Sequence, residues 1–270
     1  MKTFGYKFAE KHAFEVEPVI DAAIAEQRPL EVGFYFADPA SWEIINAKVP
    51  QATIPVNIHL NHDVYGLFTI EKREAELHQQ LSLAKSIRSD YAVTHLHTFP
   101  TNQRPEFRAE LAAHLTPRLQ LMNRIAAEYD HPIHIENTFH NLAFYRWFFT
   151  LVASLDLPYI HQCFDLGHAK LWSTDAFNAW LVWLEEQTAQ GIHLHFHLHA
   201  NNGLADQHLS FPEAEALALT QADSYTQQYD YFQVLQTLQQ RFPKSRKVFE
   251  VKPLLAIQNM QRIMLALNGC

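Results

Sequence analysis

Cysteine, glycine and long apolar runs are scarce in this chain, and each scarcity excludes a class of protein. The 270 residues include only two cysteines, Cys163 and Cys270, which cannot form a disulfide framework and fit a reducing compartment. With only seven glycines, flexible low-complexity segments are not expected. The most apolar stretch, residues 142–157, contains Arg146 and Asp156 and is too short to cross a bilayer. We therefore expect no membrane partner.

Two further absences concern targeting and charge. The first 18 residues, MKTFGYKFAEKHAFEVEP, contain no apolar run of the kind a signal peptide needs, so a cytoplasmic location is expected. Lysine and arginine number 21 against 29 acids, giving a formal charge of −8. Such a balance argues against a protein built mainly to hold phosphate backbones, although bound metal ions would offset part of the charge locally.

Short β-rich runs alternate with segments of helical period along the whole chain. Hydrophobic residues make up 48%, which is ample for a large core, and the length suits one (β/α)8 barrel. Strict alternation of this kind predicts a parallel sheet, which eight units close into a barrel. The sequence therefore predicts an α/β fold, a (β/α)8 TIM barrel forming a single domain over residues 1–270. The predicted strands are Thr3–Lys7, Leu30–Phe36, Thr53–Leu60, Tyr91–His97, Pro132–Asn137, Tyr159–Asp165, Ile192–His199 and Arg246–Val251. The predicted helices are Glu17–Gln27, Pro39–Lys48, Ile70–Ser89, Pro105–Tyr129, Leu142–Leu155, Asp175–Gln190, Tyr225–Arg241 and Pro253–Leu267.

Histidine is abundant, and it is concentrated at strand ends. The chain has 17 histidines, about three times ordinary usage. Imidazole and carboxylate groups together suit a divalent ion such as zinc, manganese or iron. Nine residues of these types follow or end predicted strands, and they are the candidate metal ligands: His62, His95, Glu136, Asp165, His168, His197, Asp206, His208 and Glu250.

The seventh predicted strand, HLHFHLHA, places four histidines on one face, because side chains alternate across a strand. The leucine and phenylalanine residues between them suit the face under the helices, so the imidazoles should line the lumen. His197 or His199 lies nearest the carboxyl end, where barrel active sites are built. His193 and His195 are better interpreted as hydrogen-bonded core residues.

Each remaining candidate also has a structural interpretation. Glu136, in ENT at 136–138, could be an acid at a helix start. Asp165 could simply cap the next turn, but a cap does not need His168 three residues later. A D-x-H pair such as Asp206 and His208 is often only a solvated loop.

Register and pairing leave further alternatives open. Glu250 could pair with Lys252 instead of a metal. His59 competes with His62, and His97 with His95, for the position at the strand end. Individually, His62 and His95 are each better explained as structural, but together with the other seven candidates at strand ends they are hard to explain without metal.

Taken in order, these motifs resemble the endonuclease IV-like branch of the xylose isomerase-like TIM barrels. The matching pieces are HDVY at 62–65, the first histidine of HLH at 95–97, ENT at 136–138, DLGHA at 165–169, HLHANN at 197–202, the D-x-H of 206–208 and Glu250. The resemblance spans most of the chain, and ENT and DxxHA are its more specific pieces. The complete set in the correct strand order carries most of the weight.

The resemblance implies a site with two to three divalent ions, zinc, manganese or iron. One ion would be held by His62, His95 and Glu136, with Glu136 bridging to a second ion completed by Asp165, His197 and Glu250. The third would be held by His168, Asp206 and His208. Sites of this kind in the family hydrolyse phosphodiesters with a metal-bridging hydroxide. Glu136 and Glu250 are the predicted catalytic carboxylates.

The predicted function is thus a metal-dependent hydrolase that cleaves a phosphodiester or phosphoester bond. The loop after the second strand, ADPASWE, is acidic, and the clearest basic cluster, Arg241 to Lys247, falls at the opposite end of the barrel. The expected substrate is therefore a small or nucleotide-like phosphoester, with duplex DNA unfavoured.

Two other functions remain open at this point. The first is a metal-dependent sugar or sugar phosphate isomerase or epimerase. It would bind one ion through Glu136, Asp165, His197 and Glu250 and use two of the carboxylates to move a proton. It would not need His62, His95, Asp206 or His208 as ligands. The second is a barrel that binds a metal or a partner without catalysis.

Overall fold

The computed structural model describes residues 2–220 and 231–268. Eight parallel strands close into a barrel in chain order, with the eighth strand paired to the first. The strands are β1 (Phe4–Ala9), β2 (Leu30–Phe34), β3 (Val56–Leu60), β4 (Ala92–His95), β5 (Ile133–Glu136), β6 (Ile160–Asp165), β7 (Leu194–Leu198) and β8 (Arg246–Phe249). The predicted (β/α)8 TIM barrel is therefore confirmed.

Helices connect successive strands and cover the outside of the barrel. They are α1 (Ala13–Glu26), α2 (Pro39–Lys48), α3 (His62–Tyr65), α4 (Glu74–Ser86), α5 (Arg108–Glu128), α6 (Leu142–Ser154), α7 (Leu166–Trp172), α8 (Phe177–Ala189), α9 (Phe211–Thr220), α10 (Tyr231–Arg241) and α11 (Pro253–Asn268). Short 3₁₀ turns at Ile70–Lys72 and Pro105–Phe107 precede α4 and α5. Within the described ranges, none of the helices combines the length and apolarity needed to traverse a bilayer.

The predicted elements agree closely with the observed ones. Every predicted strand coincides with an observed strand, with ends that differ by no more than three residues. The predicted helix at 225–241 is observed from Tyr231, and its first six residues lie outside the described part of the chain. The sequence prediction missed α3, α7 and α9, because short helices in loops lack the repeated apolar period that identifies a longer one.

Strand β7 illustrates how alternation separates lumen from helix layer. Phe196 points outward and packs against Phe164 of β6 and Phe242 beyond α10. Its neighbours His195 and His197 point into the lumen and are fully buried there. The apolar core therefore lies between strands and helices, whereas the lumen contains polar side chains.

Candidate metal centre

Acidic and imidazole side chains meet at the carboxyl end of the lumen because the strand register brings them level. Glu136 pairs with His95 on one side and with Cys163 on the other, and Asp165 pairs with His197. Level residues on neighbouring parallel strands present their side chains to the same layer of a barrel. Glu250 directly follows β8 and enters the same layer.

Glu136, Asp165, His197 and Glu250 form a group that we call the central cluster. Each offers one ligand atom, and these four atoms all lie within 4.8 Å of one another. The Nδ1 atom of His197 is 2.7 Å from Glu250 Oε2, 3.0 Å from Glu136 Oε2 and 4.0 Å from Asp165 Oδ2. Glu136, Asp165 and His197 are fully buried.

The central cluster fits a divalent cation. Asp165 Oδ2, His197 Nδ1 and Glu250 Oε2 are buried and make no hydrogen bond of good geometry, although His197 Nδ1 and Glu250 Oε2 lie only 2.7 Å apart. Glu136 Oε2 faces the same point and accepts from His59. Buried polar groups require partners, and a cation between these atoms would supply one. Three carboxylate oxygens and one imidazole nitrogen are a donor set that zinc, manganese and iron accept. These residues could therefore hold such an ion.

Lys7 and Glu31 adjoin the central cluster from β1 and β2. The Nζ atom of Lys7 is 2.6 Å from Glu250 Oε1 and 3.2 Å from Glu31 Oε1. Burial alone would lower the pKa of Lys7, but the neighbouring carboxylates, Glu250 first, raise it well above its usual range. Lys7 is therefore a permanent cation beside the cluster.

The ionisation of the cluster follows from the same balance of burial and charge. Burial favours the neutral form of Glu136, but the charges of His197 and His95 hold its pKa well below the usual value. Burial likewise opposes ionisation of Glu250, but the charges of Lys7 and His197 have the larger effect. They hold the pKa of Glu250 well below its usual value. Both carboxylates are ionised at neutral pH, as metal ligands must be.

A second group, the rim cluster, comprises His168, His199, Asp206 and His208, whose ligand atoms also lie within 4.8 Å of one another. Asp206 Oδ2 is 3.1 Å from His168 Nε2 and 3.2 Å from His208 Nε2. The rings of His199 and His208 stack at 4.1 Å. Burial would raise the pKa of Asp206, but hydrogen bonds from His168 and His208 hold it far below its usual value.

The start of α7 positions the rim cluster against the central one. Asp165 caps this helix, since its Oδ1 accepts a hydrogen bond from the backbone N–H of His168. The capping and ligand interpretations of Asp165 are compatible, because its Oδ2 makes no hydrogen bond. Gly167 lets the helix approach β7, since a Cβ at this position would lie 2.1 Å from His199 Cε1.

A third group, the β3–β4 cluster, comprises His59, His62 and His95. The rings of His62 and His95 are parallel and stack at 3.9 Å. His59 and His95 reach the central cluster, with their Nε2 atoms 3.1 and 3.4 Å from Glu136 Oε2. Burial, followed by the charge on His95, lowers the pKa of His62, which keeps this imidazole neutral and able to act as a ligand.

The structure brings all nine candidates together in these three clusters. It adds four residues that sequence reasoning did not select as ligands: His59, His199, Lys7 and Glu31. The first two were visible as register alternatives. Lys7 and Glu31 gave no signal, because a single charged residue in an apolar strand does not reveal its partner.

The partner of Glu250 is Lys7, on the other side of the contact between β1 and β8, whereas Lys252 is exposed. His97 lies apart, among Phe99, Phe139 and His140.

A cavity of about 420 Å³ opens above the clusters, and its wall includes Lys7, Tyr35, His62, His208 and Glu250. This volume lies within the range of small-molecule sites. Apolar wall atoms come from Phe8, Phe36 and Val251. The cavity thus combines an apolar wall with a few polar groups placed next to the central cluster.

Comparison with known proteins gives matches among solved structures alone. No protein-family model and no curated protein sequence matches the chain. The TTHB071 protein from Thermus thermophilus, soaked with ZnCl2, has a TM-score of 0.68 at 19% identity, covering 97% of both chains. A D-tagatose 3-epimerase-like protein has a TM-score of 0.67 at 18% identity, covering 100% of this chain and 99% of its own. The apo form of 3-keto-D-glucoside 4-epimerase, YcjR, from E. coli has a TM-score of 0.65 at 12% identity, covering 98% of this chain and 100% of its own. The resemblance to xylose isomerase-like TIM barrels is thereby confirmed at the level of the fold.

The predicted phosphodiester or phosphoester hydrolase is wrong. The two of these neighbours that are named for an activity are named as epimerase or epimerase-like. The structure also explains the error. The prediction counted nine ligand-type residues as evidence for hydrolysis, but the four of the central cluster equally suit a one-ion reaction on a sugar.

Proposed function

We propose that this protein is a metal-dependent sugar isomerase or epimerase acting on a small carbohydrate. The observation that carries the proposal is the central cluster: one imidazole and three carboxylates whose ligand atoms lie within 4.8 Å of one another, beside a cavity of about 420 Å³. Structural neighbours named as sugar epimerases support the same reaction class. A cavity of this size accommodates a monosaccharide, and its mixed wall suits the apolar and hydroxyl faces of a sugar ring or open chain.

Glu136, Asp165, His197 and Glu250 would hold the ion. A divalent ion bound there would polarise neighbouring carbonyl and hydroxyl oxygens of the sugar, which acidifies the adjacent C–H bond. Asp165 and His197 would act as ligands alone. Their burial keeps water away from the ion on that side.

Glu136 and Glu250 would also move the proton. One carboxylate, in its ionised form, would remove a proton from the carbon beside the carbonyl. The other would take up a proton from water as the substrate binds and return it to carbon. Return to the opposite face of the same carbon is epimerisation, whereas return to the neighbouring carbon is isomerisation. Glu250 lines the cavity and is the better placed to meet the substrate first.

Lys7 and the rim of the cavity would bind substrate oxygens. Lys7 Nζ is buried and makes no hydrogen bond of good geometry, although it lies close to two carboxylates. It can therefore donate to a hydroxyl or carbonyl oxygen of a sugar in the cavity. Tyr35, whose hydroxyl lies 2.5 Å from His59 Nδ1, offers a second polar group on the same wall.

We also propose that the two outer clusters bind further ions, which would give up to three. The rim cluster offers three imidazoles and one carboxylate, and the β3–β4 cluster offers three imidazoles. Both donor sets suit zinc. A one-ion isomerase does not require these clusters, so we expect them to tune or stabilise the site and not to carry the proton transfer.

The test is exchange of carbon-bound hydrogen in D₂O. Purified protein supplied with Mn²⁺, Co²⁺ or Zn²⁺ is incubated with a panel of ketoses, aldoses and their phosphates, and NMR follows deuterium entry and product formation. We expect exchange at the carbon beside the carbonyl for at least one sugar. The positions that change distinguish epimerisation from isomerisation.

Two substitutions and a matched control complete this experiment. Glu136→Gln and Glu250→Gln should each lower the exchange rate roughly 100- to 10,000-fold, the usual contribution of a general acid or base. Glu10→Gln removes another buried carboxylate, one that accepts backbone N–H groups of Phe36 and Ala37 and touches none of the clusters. It should retain the wild-type rate within a few fold. Full exchange in both site variants, or none in the wild type across the panel, would contradict the proposal.

A further inference from the structure

Beneath the central cluster, buried polar side chains form a continuous column along the lumen. Tyr91 Oη lies 2.8 Å from His195 Nδ1, and His195 Nε2 lies 2.9 Å from Glu31 Oε2. Glu31 Oε1 in turn lies 3.0 Å from Nε2 of His197, the imidazole of the central cluster. Glu31, His195 and His197 are completely buried. The proposed reaction uses none of the first three residues of this column.

A consistent set of donors and acceptors runs along the column. The phenol O–H of Tyr91 can donate to His195 Nδ1, which leaves the proton of His195 on Nε2, the atom 2.9 Å from Glu31 Oε2. His197 donates its own Nε2–H to Glu31 Oε2 at 3.2 Å. The two nitrogens of an imidazole ring face in different directions, so a proton fixed on Nε2 by Glu31 leaves Nδ1 as the atom presented to the central cluster.

Glu31 is itself held in place from several sides. Besides the two imidazoles, the Nδ2–H of Asn57 donates to Glu31 Oε2 at 2.5 Å, and Lys7 Nζ lies 3.2 Å from Oε1. These partners come from the adjacent strands, since Glu31 is level with Lys7 on β1 and with Asn57 on β3. A carboxylate offers about four acceptor positions, so Glu31 has little freedom to rotate.

We infer that Glu31, supported from below by His195 and Tyr91, is the positioning residue that sets the ring orientation and tautomer of His197 for ion binding. The inference rests on the proposed ion site in the central cluster. Glu31 would not touch ion or sugar, and it acts through the one imidazole ligand of that cluster. Carboxylates that accept the second N–H of a metal-bound histidine commonly change metal affinity by about 10- to 100-fold when they are removed.

The experiment measures Co²⁺ binding and needs no substrate. In a His62→Ala/His208→Ala background, which weakens both outer clusters, the affinity is obtained by competition with a chelator. The visible spectrum of the bound Co²⁺ reports the ligand geometry. Glu31→Gln keeps the shape of the side chain but turns one acceptor into a donor, and it should weaken Co²⁺ binding by about 10- to 100-fold and shift the spectrum. Tyr91→Phe, which removes a single oxygen two residues down the column, should produce a smaller loss in the same direction.

A double-substitution cycle and a matched control separate positioning from general loss of structure. If His195 acts through Glu31, adding His195→Leu to Glu31→Gln should cost less affinity than the sum of the two single losses. Glu10→Gln, the buried carboxylate outside the clusters, should leave both affinity and spectrum unchanged.

Each outcome decides the inference. The inference is overturned if a folded Glu31→Gln protein keeps the wild-type Co²⁺ affinity and spectrum. It is also overturned if Glu10→Gln loses as much Co²⁺ affinity as Glu31→Gln. Both results would leave the proposed ion site intact. If Glu31→Gln does not fold, unchanged Co²⁺ binding in both His195→Leu and Tyr91→Phe overturns it as well. Absence of Co²⁺ binding in the background protein would refute the proposed ion site itself, and the inference with it.

Discussion

The two ends of the barrel lumen are both rich in histidine, but they use it differently. At the carboxyl end, imidazoles alternate with Glu136, Asp165, Asp206 and Glu250. At the amino end, rings stack on one another: Tyr91 on His134 at 4.2 Å, and His161 on His193 at 4.4 Å. A cavity of about 440 Å³ also opens there, and the described residues of its wall include His134, His193, Lys244 and Arg246.

The pKa values of the histidines shift in opposite directions at the amino end and in the rim cluster. Burial, together with neighbouring imidazoles, lowers the pKa of His134 well below its usual value and that of His161 to about 4. In the rim cluster burial also lowers histidine pKa values, but the neighbouring carboxylates raise them by more. The pKa of His168 is raised well above normal and that of His208 rises to about 9. Histidine alone therefore builds a neutral stacked core, whereas histidine beside these acids favours a positive charge.

The largest expected effect concerns metal binding at the two ends. Asp165→Asn removes a charged donor from the central cluster and should weaken the binding of Zn²⁺ or Mn²⁺ by more than about 100-fold. His134→Gln, at the amino end, should leave metal content unchanged, because its surroundings offer stacked rings instead of carboxylates. Elemental analysis after dialysis against a known free-metal concentration measures both. Equal losses of bound metal in the two variants would contradict the proposed difference in metal binding between the two ends.

A second expected effect is stabilisation by the ion. Any ion that binds only the folded chain stabilises it by about 2.7 kcal/mol when its concentration is 100 times the Kd. For a chain of this length, that corresponds to an increase in Tm of roughly 5 °C. The increase should persist in His161→Phe and become smaller in Glu250→Gln, which loses the central ion but keeps both outer clusters, as measured by thermal unfolding with Zn²⁺ and with a chelator. An increase of the same size in Glu250→Gln would place the stabilising ion elsewhere.

The fold and the clustering of candidate ligands could be predicted because both follow from local patterns. Strict alternation of strand and helix determines a parallel barrel, and residues at the ends of its strands must meet at one rim. The alternation within β7 likewise identified the lumen face that carries His195 and His197. Short motifs in order along the chain were enough to select His62, His95 and the other candidates.

The remaining features depend on contacts that are distant in sequence. Lys7 meets Glu250 only because closure of the barrel pairs β1 with β8, placing Tyr6 level with Phe249. His199 joins the rim cluster only because Gly167 has no side chain to block it. The reaction was mispredicted for another reason, since the same donors can serve hydrolysis or proton transfer and the residue types do not decide between them.

A third expected effect should appear in the pH dependence of stability at the amino end. His161 is neutral in the fold, with its pKa lowered to about 4 by burial and by His193. Between this value and the ordinary histidine pKa near 6.5, the unfolded chain binds a proton that the folded chain does not, so stability falls as the pH falls. His161→Phe keeps a ring to stack on His193 and removes the titration. The metal-free wild type should lose stability more steeply than the variant between pH 6.5 and 4, by at most about 3 kcal/mol in total. Parallel denaturation curves for the two proteins across this range would contradict the neutral state of His161.

The last expected effect concerns Lys247, which is buried at the amino end of β8. Its Nζ donates to the carbonyl oxygens of Phe242 and Ser245, at 2.6 and 2.9 Å, and burial lowers its pKa to about 7. Above that pH the folded lysine is neutral while the unfolded lysine, with a pKa near 10.4, is still protonated. Stability should therefore rise with pH across this window, the opposite direction to that expected from a cation held by acids, such as Lys7. Lys247→Met should flatten the rise in denaturation experiments, whereas Lys244→Met, at an exposed position three residues earlier, should preserve it. If the increase of stability with pH persists in Lys247→Met, then a neutral buried lysine does not cause it. The difference between the two ends of the lumen would then depend on the histidines alone.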